Sequence, residues 1–457
     1  MRMIGSVSRR NVAKRSSTNG SAPALSREQQ LEIYYYLRLN RSLEERLVNL
    51  FRQNKIVGGR YLSLGQEAIS VGTAYALGPN DWIAPMIRNV GALLVRGFRP
   101  RDIYTQYMAR YTSPTQGKDG TSHFGDLDKR HVVSPISMLG DLIPVMTGVA
   151  MAGRYLGQNI VSMTWIGDGG SSTGAFHEGM NLAAQQKAPF VCVIENNQWA
   201  YSTPVNRQVP LKDLADRARA YGIPSYIVDG NDVLAVYRTT REAVDRCRAG
   251  EGPVIIEAKT MRMRGHAQHD PAEYVPKEMF AYWKDRDPLQ RYEKYLTENN
   301  LLDAKSRKAI EERIERELTA DLEEAENAPF PPAEFAEQGV YCDGCHTIEA
   351  KWNRAKDEVS PPKSSVAPEW TVPQYGGFEA RPESRYDALE AAEETIEVET
   401  PGALDTGNGS AAAISKAAGA KLANSKGAIS KMNAAPSKKS AKPRKPVLGT
   451  AGRKGRR

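Results

Sequence analysis

Asp168 and Asn197 lie 29 positions apart, each just beyond an apolar run. A carboxylate and an amide carbonyl are hard oxygen donors that suit magnesium, an ion that keeps its other octahedral positions for phosphate oxygens, water or a main-chain carbonyl. Gly169 and Gly170 follow the carboxylate directly. With no side chains in the way, their N–H groups can cradle an anion, helped by the positive end of the helix that follows. The ligand these residues suit is a magnesium diphosphate. Gly-Asp-Gly alone is a common turn and Asn-Asn alone a common loop. A site is indicated only because each closes a buried strand on either side of one helix.

The flanking elements must bring the two donors together. Ile160 to Ile166 reads as a buried strand, Ser171-Ser172-Thr173 supplies N-cap chemistry for a helix through about Gln186, and Pro189 to Ile194 reads as a second strand. A right-handed crossover makes these strands parallel and puts both donors at the carboxyl edge of one sheet. Arg88 follows the short extended stretch Asp81 to Pro85, and its fork of donors could clamp a diphosphate; the plain alternative is a solvated charge. Pro253 to Ala258 is another apolar strand, so the polar loop after it, with Arg262, Arg264, His266 and His269, falls on the side of Asp168.

Helical spacing runs from Ser26, a plausible N-cap, to Gln53; a second helix begins within Gly65 to Gly72; and small residues fill a third from Ile143 to Tyr155. Tyr111 to Leu127, with His123, reads as a long loop, a kind of segment that tends to be functional. Val205 to Ala220 reads as polar and helical, and a further helix runs to about Ala249. Ile310, Ile314, Leu318 and Leu322 mark an amphipathic helix that stops before Pro329. Alternation of this kind predicts an α/β fold, a doubly wound, mostly parallel sheet covered on both faces.

The chain has 457 residues and a net charge of +8, but residues 406–457 hold 13 Lys and Arg and no acid. The remainder carries 49 basic and 54 acidic side chains, so the body is mildly acidic and the tail makes the protein basic. Four cysteines are too few for a disulfide scaffold, and Cys192 in a core strand points to a reducing compartment. No apolar run approaches the ~18 residues of a membrane span. The expected organisation is a leader over 1–27, an α/β domain over 28–350, an irregular extension over 351–405 and a basic low-complexity tail over 406–457. The Arg- and Ser-rich leader fits a cytoplasmic protein, with a mitochondrial presequence as the alternative. Cys342-Asp343-Gly344-Cys345-His346 has the spacing of a c-type haem site, with a metal or redox element and a plain turn as the other readings. The tail could hold nucleic acid or an acidic partner electrostatically, or serve only as a tether.

Gly167-Asp168-Gly169 through Asn196-Asn197 resembles the thiamine diphosphate motif. Phe176 to Ala184 and Glu195 to Pro204, with Gly65-Gln66-Glu67-Ala68, Ile87-Arg88, Ile143-Pro144 and Arg262 to Pro271, are similar to the alpha subunit of the decarboxylating component of 2-oxo acid dehydrogenase complexes. The pyruvate and branched-chain types are the candidates, and the similarity runs from about residue 28 to 340.

That resemblance implies thiamine diphosphate and magnesium as cofactors. It makes Asp168 and Asn197 the side-chain ligands of the metal, with the main-chain oxygen of Trp199 a third. Gly169, Gly170 and Arg88 would hold the diphosphate, and Ser137 and Leu139 match positions that touch the middle of the cofactor through the main chain. His266 matches a loop histidine that assists decarboxylation and acyl transfer to lipoamide. The resemblance also implies a beta subunit, which supplies the activating Glu, an α2β2 heterotetramer, and a lipoyl-bearing acyltransferase core. Ile87 stands where the family usually has Tyr, Tyr61 where many pyruvate types have His, and Ala267 where animal relatives carry a phosphorylated serine. Asp141 and Leu142 do not match the family's potassium site. Related readings are an acetoin dehydrogenase alpha subunit or half of a split transketolase; the non-enzyme reading is a basic-tailed nucleic-acid binder.

Overall fold

The computed structural model describes residues 25–56 and 58–340. The expectations for most of the leader, the Cys342 to His346 element, the extension and the tail lie outside these residues.

The described chain opens with α1 (Arg27–Arg52), where Ser26 and Gln29 form a reciprocal capping box. There follow α2 (Glu67–Tyr75), β1 (Trp82–Ala84), α3 (Val90–Val95), α4 (Pro100–Tyr107), α5 (Leu142–Tyr155), β2 (Ser162–Gly167), α6 (Gly174–Gln185) and β3 (Phe190–Asn196). A two-stranded hairpin, β4 (Trp199–Ala200) and β5 (Thr203–Pro204), leads into α7 (Val205–Gln208), α8 (Ala218–Tyr221), β6 (Ser225–Asp229), α9 (Val233–Arg248) and β7 (Val254–Lys259). Three helices close the described region: α10 (Lys277–Lys284), α11 (Pro288–Glu298) and α12 (Ala304–Asn327).

The main sheet has the order β1-β2-β3-β7-β6, and every pairing in it is parallel. Helices cover both faces, as a doubly wound sheet requires. Met163, Trp165, Val191, Val193, Val254 and Ile256 turn to one side, packed with residues of α1, α3, α4, α9 and α12. Their neighbours Ile166, Phe190, Cys192, Ile194 and Ile255 turn to the other, against α5 and α6. The strands are buried on both faces, so even Ser162 and Thr164 of β2 are buried, their hydroxyls donating to the Met146 and Ala84 main-chain oxygens. Gly179 lets α6 come close to α5: a Cβ there would lie 2.7 Å from the Pro144 nitrogen.

Of Ser171-Ser172-Thr173 it is Thr173 that serves as the N-cap, accepting from the Phe176 N–H at 3.3 Å, while Gly170–Ser172 form a 3-10 turn ahead of it. One local expectation changes. The segment Val205 to Ala220 is not one helix but α7, an irregular stretch, a 3-10 turn and α8. Pro210 explains the break, since it lacks an N–H and its ring clashes with the carbonyl four residues earlier.

Candidate functional site

β2 and β3 run side by side with Gly167 opposite Glu195, so the chain leaves both strands at one edge. Asp168 and Asn197 therefore line the same cleft, of about 540 Å³, together with Gly169, Gly170, Arg88 and His266. Asp168 is buried, and that burial pushes its carboxyl up to about 6 against the restraint of a Gln208 amide donating to Oδ2 at 2.8 Å. Asn197 donates from Nδ2 to Gln66 Oε1 at 3.1 Å, which fixes the amide, while its Oδ1 receives only a long contact from the Trp199 N–H at 3.5 Å. The Trp199 main-chain oxygen accepts from Arg262 Nη1 at 3.2 Å and has a second lone pair to offer. Among the described residues no three His, Cys, Asp or Glu gather as a metal site. One carboxylate with neutral carbonyls suits a hard cation whose remaining ligands come from an anion.

The approach to the glycines is narrow. A Cβ at Gly169 would lie 2.4 Å from Ala200 Cβ, and one at Gly170 2.9 Å from Ile166 Cγ1. The turn that follows Gly169 is the 3-10 turn, so the N–H groups nearest the cleft belong to it and α6 begins farther on. Arg88 is buried, donating to the Leu62 oxygen at 2.9 Å and the His266 oxygen at 3.1 Å. Burial, then the charge of Arg262, pull Arg88 down to about 10. Arg262 donates to the Tyr201 oxygen at 2.8 Å and to the Tyr274 hydroxyl at 2.6 Å. Both guanidiniums border the cleft and hydrogen-bond only neutral groups, with Glu195 and Glu44 acting on Arg88, and Asp270 and Asp168 on Arg262, through space. Buried cations held by neutral partners are costly, and a multiply charged anion in the cleft relieves that cost.

His266 sits between the rings of Tyr61 and Tyr201, with centroids 5.4 and 4.9 Å away. Burial, reinforced by Arg88 and Arg262, lowers its imidazole to about 4, so the ring is neutral near pH 7. Asp270 holds the loop by accepting the His266 N–H at 2.6 Å and the Tyr274 hydroxyl at 2.5 Å. Ser137 and Leu139 also line the cleft, and the Ser137 hydroxyl lies 3.1 Å from His123 Nε2. Arg88, Ser137, Leu139, Asp168, Gly169, Gly170, Asn197, Trp199 and His266 thus border one cleft, whereas Arg264 and His269 do not line it.

Sequence reasoning missed Gln208 and the part played by Arg262. For Arg262 the signal was present, since it follows the same strand as His266 and is a cation of the same kind as Arg88. For Gln208 there was none: it lies 40 positions beyond Asp168, and only the β4–β5 hairpin returns it to the carboxylate.

A doubly wound parallel sheet with a carboxylate, an amide and two buried arginines at its carboxyl edge defines a diphosphate-binding α/β protein. Comparison with known families narrows the class: the dehydrogenase E1 component family matches residues 35–334, and the chain belongs to that family, which is thiamine diphosphate-dependent. Among its relatives is the 2-oxoisovalerate dehydrogenase subunit alpha of Bacillus subtilis (strain 168), 35% identical over 329 residues, covering 71% of this chain and 99% of the relative. The pyruvate dehydrogenase E1 component subunit alpha of Rhizobium meliloti (strain 1021) is 34% identical over 336 residues, covering 72% and 96%. Its namesake from Staphylococcus aureus (strain Mu50 / ATCC 700699) is 37% identical over 341 residues, covering 74% and 89%. No helix among the described residues is long and apolar enough to cross a membrane.

Proposed function

We propose that this chain is the alpha subunit of a 2-oxo acid dehydrogenase acting on pyruvate or a branched-chain 2-oxo acid. It holds magnesium thiamine diphosphate, works with a beta subunit in an α2β2 assembly, and passes the acyl group to a lipoyl-bearing acyltransferase core. The observation that carries the reading is the buried Asp168 carboxylate facing the same cleft as the buried cations Arg88 and Arg262. A divalent cation with a diphosphate satisfies both charges at once.

Bound there, the thiamine ring supplies the nucleophilic carbon and the electron sink that 2-oxo acid decarboxylation needs. Asp168, Asn197 and the Trp199 main-chain oxygen hold the magnesium, while Arg88, Gly169 and Gly170 grip the diphosphate. Gln208 and Gln66 fix the two ligand side chains from behind. Met86, Ile87, Leu142, Ile143 and Ile166 give the cleft an apolar wall that keeps water from the reacting carbon. His266, held neutral, has Nδ1 3.5 Å from the Arg262 Nη1 donor, which leaves Nε2 as the N–H donor of the ring.

The test is to mix the purified chain with its beta subunit, magnesium and thiamine diphosphate and to follow acylation of a lipoyl domain. Pyruvate and 3-methyl-2-oxobutanoate are compared as substrates. The reading expects one of the two to be used by the mixture and neither by the chain alone. Turnover of sugar phosphates instead, or robust decarboxylation without the partner, contradicts it.

A further inference from the structure

A second imidazole borders the cleft, on the loop between α4 and α5. His123, Thr121 and Ser137 all line it. His123 Nε2 lies 3.1 Å from Ser137 Oγ, and Nδ1 lies 3.2 Å from Asp119 Oδ2 and 3.0 Å from Thr121 Oγ1. Asp119 is itself anchored. Its Oδ1 accepts the Thr121 N–H at 2.5 Å and the Thr121 hydroxyl at 2.6 Å, and its main-chain oxygen accepts at 2.8 Å from Gln106, a fully buried residue of α4.

The carboxylate assigns the tautomer: with Nδ1–H directed at Asp119, Nε2 is left to exchange a proton with the serine hydroxyl. The two cleft histidines therefore differ in surroundings: His266 lies beside Arg88 and Arg262, His123 beside the Asp119 carboxylate.

We propose that Asp119, His123 and Ser137 form a proton relay for the 2-oxo group of the substrate, an inference that rests on the function proposed above. As the 2-oxo carbon is attacked, the C=O π pair moves to oxygen, which takes the Ser137 Oγ proton. Ser137 recovers a proton from Nε2 of the His123 imidazolium, leaving a neutral ring with Nδ1–H on Asp119. Loss of the acyl group to its acceptor runs the same transfers in reverse. Ser137 is the member that touches substrate; His123 is a positioning and relay residue acting through it.

The test uses the chain assembled with its beta subunit. His123→Gln keeps a hydrogen-bonding group near Ser137 but cannot carry a proton, so kcat should fall on the order of 10²-fold, the usual scale of positioned acid–base catalysis. The dissociation constant for magnesium thiamine diphosphate, read by titration calorimetry, should match the parent's, and added imidazole should restore part of the activity of His123→Ala. A purely structural role predicts the opposite pattern, a His123→Gln enzyme with the parent's kcat, and that result overturns the relay alone. A parent assembly with no 2-oxo acid decarboxylation overturns the proposed function and the relay with it.

Discussion

Gln208 donates its amide N–H to Asp168 Oδ2 at 2.8 Å, from a short helix that the β4–β5 hairpin folds back over the end of β2. The contact occupies one oxygen of the carboxylate, which lines the cleft. Hydrogen bonds to charged groups contribute about 1.5–3 kcal/mol. Replacing Gln208 with Leu removes that restraint, and magnesium affinity in the presence of thiamine diphosphate should weaken by roughly tenfold or more. Manganese binding followed by electron paramagnetic resonance checks this directly; unchanged affinity removes Gln208 from the metal site.

Asp168 makes a pH prediction whose sign is fixed by its raised carboxyl, about 6 against an ordinary 3.8. Between those values the folded protein holds the proton and the unfolded chain does not, so metal-free stability falls as pH rises through this window. Above it the penalty is complete, up to about 3 kcal/mol for a shift of this size. Asp168→Asn should therefore melt higher than the parent at pH 8 in chelator, and show no such gain at pH 4. Conversely, metal uptake by the parent should weaken below about pH 6, where a proton competes for the carboxylate. Melting curves at the two pH values decide the first point, and a binding titration the second.

His266 lies at about 4, below the ordinary imidazole value. Its charge should thus contribute no limb to the kcat profile between pH 6 and 8, although His266→Ala should lower kcat on the order of 10²-fold or more. A limb in that range that disappears in His266→Ala contradicts the neutral assignment.

Two glycines separate fold from site. Gly169→Ala drives a Cβ to 2.4 Å from Ala200 Cβ, beside the cleft, and should abolish cofactor uptake at modest cost in stability. Gly179→Ala meets the Pro144 backbone nitrogen at 2.7 Å between α5 and α6, and should cost about 1–3 kcal/mol through overpacking. Parallel calorimetric melts and cofactor titrations of both variants should show this split.

Much of the architecture was legible because central parallel strands leave a clear record: β2 and β3 are mostly apolar and buried nearly throughout, and glycine or asparagine ends each one. The carboxyl-edge rule then placed Asp168, Asn197 and His266 together without coordinates. Val205 to Ala220 was misread because its polar spacing looks helical and Pro210 was not given its weight. Side chains that act from behind, such as Gln208 on Asp168 and Gln66 on Asn197, leave no periodic trace. Their partners are chosen by tertiary folding, across 40 and 131 positions of chain. His123 was noticed only as part of a long loop; its pairing with Ser137 needed the loop's path across the cleft.

The most direct measurement is calorimetric titration of thiamine diphosphate, with magnesium present, into the subunit assembled with its beta partner and into folded Asp168→Ala and Asn197→Ala variants. If these residues hold the metal, the parent binds and both variants lose at least tenfold in affinity, with melting curves that remain cooperative. Variants that take up the cofactor as tightly as the parent would show that the carboxyl edge of this sheet is not where the metal–diphosphate pair is held.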